Sequence, residues 1–345
     1  MRITSKAPCR VDLAGGTLDI WPLYMFHANA VTVNFAVDRY TSCVLTTRND
    51  REIHLHSSDL KESESFGTLE ELRGTKKYRL PLVAHILRFF TPETGLDVHT
   101  HSEVPAGAGI SGSSSLFIAS TVAFNKLIGT GYSLEKLREI AQNIEAQVIN
   151  VPTGCQDYFP AMYGGVNVIE MGPAGLNRTE VQIPHDELIQ RVVLAYTAAP
   201  RNSGINNWEV MKAHIDGDKN VHKNFDKIAA IANGMRAAIS SRDWKEAARL
   251  LREEWAHRRK NAPGITTPLI DRLIDVTRRA GSTGAKVCGA GGGGCVLFLV
   301  EPDAKQRVSA LIEKEGAQVL DVKVAVKGVR LQVEKDGPLK STNAV

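Results

Sequence analysis

The chain has 345 residues, 43% hydrophobic and 23% charged, with 42 Lys and Arg against 38 Asp and Glu. That balance excludes a disordered or fibrous chain, and the densest basic run, Arg258 to Lys260, is too short for a nucleic-acid-coating stripe. No run nears the roughly 18 apolar residues of a membrane span, and the start, Met1 to Lys6, has no signal-like apolar core; a cytoplasmic protein without nucleic-acid or membrane partners is expected.

The length exceeds one ordinary core and predicts two domains, 1–185 and 186–345. Val31–Val37 and Thr41–Thr47 are β-branched and apolar, which predicts a hairpin turning at Asp38 to Tyr40. Ile53–His56 and Leu96–His101 read as strands. Pro81–Phe90 and Leu116–Ile128 read as helices, the latter with Leu116, Ala119, Val122, Ala123 and Leu127 on one face. Leu134, Leu137, Ile140, Ala141, Ile144 and Val148 form a second helical stripe behind an N-cap at Ser133. The second half opens with a strand, Val192–Tyr196. Helices are predicted over Ile205–Ile215, Phe225–Ile239 and Trp244–Arg259, and another is announced by Thr267 and Pro268. Strands follow at Cys295–Val300, Gln318–Val326 and Val329–Val333. This order predicts an α+β protein of two layered domains. Cys9, Cys43, Cys155, Cys288 and Cys295 have neither metal-clip nor redox spacing, so buried reduced thiols are expected.

Three glycine-rich stretches carry the chemistry. Pro105 to Ser115 has almost no side-chain bulk and lies between a strand and a helix. Glycine lets backbone N–H groups converge and a ligand approach, and a helix N-terminus favours an anion. On composition the stretch is either a phosphate cradle or a surface loop with a serine cap. No Gly-Lys-Ser/Thr follows, so it is not a Walker loop. Ala7 to Asp19 reads as a strand ending in Gly15 and Gly16. Lys286 to Cys295 holds five glycines between residues 289 and 294, costly to order unless backbone passes close to a ligand or the other domain. Glu145 falls off its helix's apolar stripe and by itself reads as a solvated carboxylate. Asp157 stands among small and aromatic residues, where a surface role is less natural.

Pro105, Gly107, Ala108, Gly109, Ile110, Ser111, Gly112, Ser113 and Ser114 resemble the second motif of the GHMP kinases. The resemblance implies a two-domain GHMP kinase fold, with a ribosomal protein S5 domain 2-like N-terminal domain and a ferredoxin-like C-terminal domain. It implies ATP over this loop and Mg²⁺ held by Ser113 and Glu145. Gly112 stands where the family has a serine, and a local shift would pass the metal to Ser114. Ala7 to Asp19 resembles the first motif, with Arg10 near the reacting hydroxyl and Asp19, Gly15 and Gly16 on the sugar. Residues 286–295 resemble the third, with Gly291 and Gly292 at the substrate. The block Gly154 to Asp157 resembles the sugar-kinase branch, which implies that Asp157 faces the acceptor hydroxyl and that Arg10 holds it ionised.

Within the family, these blocks and Leu250 to His257 are most similar to the branch acting on D-glycero-D-manno-heptose 7-phosphate. That implies transfer to the anomeric C1 hydroxyl of a sugar phosphate. An L-fucokinase-like sugar 1-kinase is the runner-up, and a catalytically silent ATP- or sugar-binding regulator is the other alternative. That branch usually reads Gly-Gly-Gly-Thr-Asp, whereas Leu18 here sets an apolar side chain beside Asp19. A distal phosphate calls for cations, among them Lys76, Lys77, Arg79, Arg201, Arg258 and Arg259, each of which by itself reads as a solvated surface charge.

Overall fold

The computed structural model describes residues 1–198, 203–261 and 264–334, so Arg201 lies outside it. In chain order the elements are β1 (Arg2–Ala14), a 3-10 turn (Leu23–Phe26), β2 (Val31–Thr47), β3 (Ile53–Ser57), β4 (Glu62–Phe66), α1 (Leu69–Gly74) and α2 (Pro81–Phe90). Next come β5 (Leu96–Ser102), α3 (Gly112–Ile128), α4 (Leu134–Ile149), α5 (Tyr158–Tyr163), β6 (Val166–Gly172) and β7 (Gly175–Glu180). The second half runs α6 (His185–Gln190), β8 (Val192–Tyr196), α7 (Ser203–Ile215), α8 (Lys219–Ser241), α9 (Trp244–Arg258) and α10 (Pro268–Arg279). It closes with β9 (Ser282–Val287), β10 (Cys295–Val300), α11 (Lys305–Lys314), β11 (Gln318–Leu320) and β12 (Arg330–Glu334).

Among the described residues, β12-β1-β2-β5-β3-β4 form one sheet, with β6 attached to the first half of β2 and β7 to β6. An antiparallel sheet of order β11-β8-β10-β9 forms the second layer. The expected C-terminal domain lends its last strand to the first sheet, since Arg330 pairs with Lys6 and Glu334 with Arg2.

The expected hairpin at Asp38 to Tyr40 does not form. Residues 31–47 are one strand that pairs with β1 on both sides of a bulge, Pro8 opposite Tyr40 and Cys9 opposite Val37. No glycine or Asn-Gly pair is present to make a tight turn. The two extra residues instead reach the chain beyond β11: Lys323 N–H donates to the Asp38 carboxylate at 2.7 Å, and Arg39 donates to the Asp321 carbonyl. The strand expected over Gln318–Val326 ends at Leu320, because the following residues cross to the first sheet, where Val324 bridges Val37.

The buried surface of α3 is broader than the expected face, of which Ala119 and Ala123 are buried and Val122 and Leu127 pack against the core. Leu116, Val122 and Leu127 are only half-buried, whereas Phe117, Ile118 and Phe124 are fully buried. The helix is packed by β1 and β2, α2, α4 and α5, so even Ser120 and Thr121 are enclosed. The α4 stripe lies as expected, and the Ser133 and Thr267 hydroxyls accept from Lys136 N–H and Ile270 N–H. Ile3, Cys43 and Leu45 pack with Phe117 and Phe124. Val11, Leu13, Val33 and Phe35 continue through Ile231 and Met235 of α8 to Leu194 and Leu297 of the second sheet. This continuous apolar contact fixes the first strand against the second layer. All five cysteines are buried thiols, and no described helix is long and apolar enough to cross a membrane.

Candidate active site

Arg10 organises the site. It lies on β1, is 3% exposed, and donates its backbone N–H to the Ile110 carbonyl at 3.1 Å. Its Nη1 donates to the Gly109 carbonyl at 2.8 Å, and its Nε donates to Asp157 Oδ1 at 2.8 Å. Nη2 stands 2.6 Å from the same oxygen. Burial disfavours the guanidinium charge, but Asp157 and Asp12 outweigh it and hold the arginine more firmly protonated than usual. Asp157 precedes α5 without capping it, so its carboxylate is free to face Arg10 and keeps 20% exposure. One side chain thus ties the first motif, the glycine loop and the acid together.

The loop is built to approach something closely. Gly107 and Gly109 have φ of +75° and +80°, in the left-handed region. Ser111 is also left-handed and makes no side-chain cap, and its buried Oγ has no hydrogen-bond partner among the described residues. The first-turn N–H groups of the 17-residue α3 open beside it. An anion fits this set of donors. The serine missing at 112 has a steric reason: a Cβ there would lie 2.9 Å from Val104 Cγ2. Ala108 N–H closes a turn on the Pro105 carbonyl at 3.1 Å.

Glu145 is not the solvated carboxylate that its place off the stripe suggested. It is 4% exposed, and its Oε2 accepts from Ser114 Oγ at 2.8 Å and Tyr158 OH at 2.5 Å. Burial raises its pKa, opposed by Tyr158, Ser113 and Ser114. Among the described residues no Lys or Arg forms an ion pair with it, so its surroundings suit a cation. No described group of three or more His, Cys, Asp or Glu could hold a metal alone. Ser113 is exposed at the helix start, and Ser114 is buried.

Asp19 is 2% exposed and accepts from Gln156 N–H at 3.0 Å. Burial, and then the Asp157 charge, raise its pKa to about 6. Gly154 is glycine because any Cβ would collide with this carboxylate. Gly15 instead packs onto the Val31 carbonyl, and Gly16 lies over Arg258 and Asp12. In the third motif, Gly291 and Gly292 pack on Ile265. Two other glycines meet the site. A Cβ on Gly294 would lie 2.7 Å from the Ala108 carbonyl, which also accepts from Cys295 N–H at 2.7 Å. Gly289 N–H donates to Asp12 at 3.3 Å.

The sequence reading missed a buried charge cluster beneath these loops. Lys286 Nζ lies 2.7 Å from Asp12 and 2.9 Å from Glu254, and Arg258 lies 3.3 Å from Asp12. All four side chains are 4% exposed or less. Burial opposes the Asp12 charge, yet Lys286, Arg10 and Arg258 hold its pKa well below the usual carboxylate range. The acid-to-base spacing of 274 residues explains why no local signal revealed it. Of the expected distal cations, Arg258 is absorbed here. Arg259 is exposed and pairs with Asp271 at 3.2 Å, and Lys76, Lys77 and Arg79 are exposed between α1 and α2.

Both halves of the chain resemble known proteins. Residues 78–165 match the GHMP kinases N terminal domain, and residues 235–318 match the GHMP kinases C terminal domain. The chain is 26% identical over 341 residues to D-glycero-alpha-D-manno-heptose 7-phosphate kinase of Campylobacter jejuni, covering 95% of this chain and 98% of that protein. It is 25% identical over 270 residues to mevalonate kinase of Pyrococcus horikoshii, covering 77% of each. The crystal structure of Lactococcus lactis galactokinase superposes with a TM-score of 0.77 at 20% identity, over 95% of both chains. The two-domain architecture and both family matches establish that this chain belongs to the GHMP kinases and is a phosphotransferase with an alcohol group as acceptor.

Proposed function

We propose that this protein is an ATP-dependent sugar kinase, and that its acceptor is D-glycero-D-manno-heptose 7-phosphate, phosphorylated at the C1 hydroxyl. The observation that carries the proposal is the reach of Arg10 from the Gly109 carbonyl to the Asp157 carboxylate. With it, one acid stands near the glycine loop and one cation beside both, which supports reading the loop as a phosphate cradle. The similarity to the Campylobacter heptose kinase along 95% of the chain supports the acceptor.

Residues 105–115, with the α3 N-terminus and Ser111 Oγ, would hold the ATP phosphates. Glu145, with Ser113 and Ser114, would hold Mg²⁺, a cation that takes few protein oxygens and completes its shell with phosphate and water. When bound, it neutralises phosphate charge. Asp157 orients the acceptor hydroxyl and accepts its proton, and Arg10 offsets charge on the transferred group. Phosphoryl transfer is accelerated mainly by alignment and charge stabilisation, so the base adds to these effects and does not replace them. Asp19 accepts hydrogen bonds from sugar hydroxyls, a task suited to a carboxylate with two oxygens.

The pKa of Asp19, raised to about 6, gives a pH signature. Above that pH the carboxylate accepts from two hydroxyls. Below it, protonation turns one oxygen into a donor. The acceptor KM is expected to rise as pH falls through about 6, and Asp19→Asn is expected to flatten that dependence while leaving the KM for ATP unchanged. For stability the sign follows from a folded pKa above the unfolded 3.8. Ionising Asp19 weakens the fold as pH rises between these values, and acid relieves that cost.

One observation favours a second reading. Among the described residues, Arg10, Arg258 and Lys286 around the turn bearing Asp19 already have carboxylate partners. An acceptor without a distal phosphate, such as an unmodified aldose, suits that end. Phosphorus–proton correlation NMR of the product distinguishes the readings. Coupling of a new phosphate to the anomeric proton of heptose 7-phosphate is expected. Coupling elsewhere contradicts the C1 assignment, and turnover of unphosphorylated aldoses alone supports the second acceptor.

A further inference from the structure

Arg258 lies at the end of α9, far from the glycine loop in sequence, yet its guanidinium touches both remaining glycine motifs. Nη2 donates to Thr17 Oγ1 at 3.2 Å and to the Gly289 carbonyl, and Nη1 stands 3.3 Å from Asp12 Oδ2. Thr17 has φ of +74°, a conformation that a β-branched residue adopts only when its surroundings impose it. A Cβ on Gly16 beside it would lie 2.8 Å from Arg258 Nη1 and 2.9 Å from Asp12, so any side chain there would displace the guanidinium or the carboxylate. The turn therefore rests directly on the guanidinium. Two residues further on, Asp19 is directed inward and meets Gln156 N–H. Gly289 is gripped from both sides, its N–H by Asp12 and its carbonyl by Arg258.

We infer that Arg258 is a positioning residue that holds the Gly15–Asp19 turn against the third motif, and so sets acceptor affinity without touching the acceptor. The inference rests on the sugar-kinase reading of Asp19. A planar guanidinium with several fixed donors can serve Thr17, Gly289 and Asp12 together, whereas an ammonium is a single point of charge. Arg258→Lys keeps the charge beside Asp12 and Glu254, so the cluster stays paired, and removes the fork.

The test measures KM for acceptor and ATP, together with amide hydrogen exchange of the unliganded protein. In Arg258→Lys the acceptor KM is expected to rise about tenfold or more, the cost of the two lost charged-donor hydrogen bonds, with the ATP KM unchanged. Amides of residues 15–19 and 289 are expected to exchange faster, and those opening α3 at the wild-type rate. Thr17→Val, which removes only the hydroxyl contact, is expected to shift the acceptor KM and the 15–19 exchange in the same direction, and it serves alone if Arg258→Lys does not fold. An unchanged acceptor KM, or both KM values moving together, overturns the inference. If the wild type turns over no sugar, the sugar reading fails and the exchange rates still decide: unchanged rates at 15–19 overturn the positioning role, and selective acceleration upholds it.

Discussion

Asp157→Asn is expected to lower kcat by about 10²–10⁴-fold, the usual worth of a positioned general base, while ATP still binds. The substitution preserves shape and one acceptor oxygen, so Arg10 keeps a hydrogen-bond partner and the Gly109 contact need not move. What disappears is the negative charge that, in the proposed function, accepts the hydroxyl proton. The loop amides, Ser111 and Glu145 are untouched, so calorimetric titration with Mg-ATP is expected to give an affinity close to that of the wild type. Steady-state turnover near the wild-type value contradicts the assignment of Asp157. Loss of ATP binding along with turnover shows that the carboxylate supports the loop instead.

The largest stability effect is expected at Lys286. Replacing it with Met keeps an unbranched side chain one atom shorter and removes the charge between Asp12 and Glu254, both of which are buried. Asp12 retains Arg258, Arg10 and Gly289 N–H, whereas among the described residues Glu254 keeps Arg258 alone, at 4.0 Å. Breaking a buried ion pair by removing one partner costs about 3–5 kcal/mol, to be read from urea unfolding followed by tryptophan fluorescence. Burial already raises the pKa of Glu254, with Lys286 the main opposing influence. Without that lysine its folded pKa rises further above the unfolded value of 4.5, so the deficit should widen as pH rises above the ordinary glutamate range and narrow in acid. A deficit within about 1 kcal/mol, the range of an exposed pair, shows that the cluster does not support the fold in this way.

Elements with a strong local pattern were legible in the sequence. Pro81–Phe90, Val192–Tyr196 and Cys295–Val300 have the predicted ends, and the caps at Ser133 and Thr267 make the predicted hydrogen bonds. Features set by distant partners were not. Nothing local to Asp38 shows that β1 runs past it on both sides of a bulge, or that β12 returns to the first sheet. Glu145 looked solvated because helical periodicity describes one helix, whereas Ser114 of α3 and Tyr158 of α5 cover that carboxylate. The glycine loop was legible by composition. The reason for Gly112 was not, because it lies in the packing of Val104. The third motif was recognised as a unit, but which of its glycines meet the other motifs depends on tertiary contact, with Gly289 and Gly294 in those places. Arg258 changes most, from one surface cation among several to a buried partner of Asp12, Thr17 and Gly289.

In the proposed function, the acid at 157 and the glycine loop form one centre for phosphate transfer to a sugar hydroxyl. The most direct test is ADP release by the wild-type protein with Mg-ATP across heptose 7-phosphate, simple aldoses and mevalonate. ADP formation that depends on a sugar acceptor and is fastest with heptose 7-phosphate is the predicted result. Release with mevalonate alone, or none above the acceptor-free rate with any of them, contradicts it.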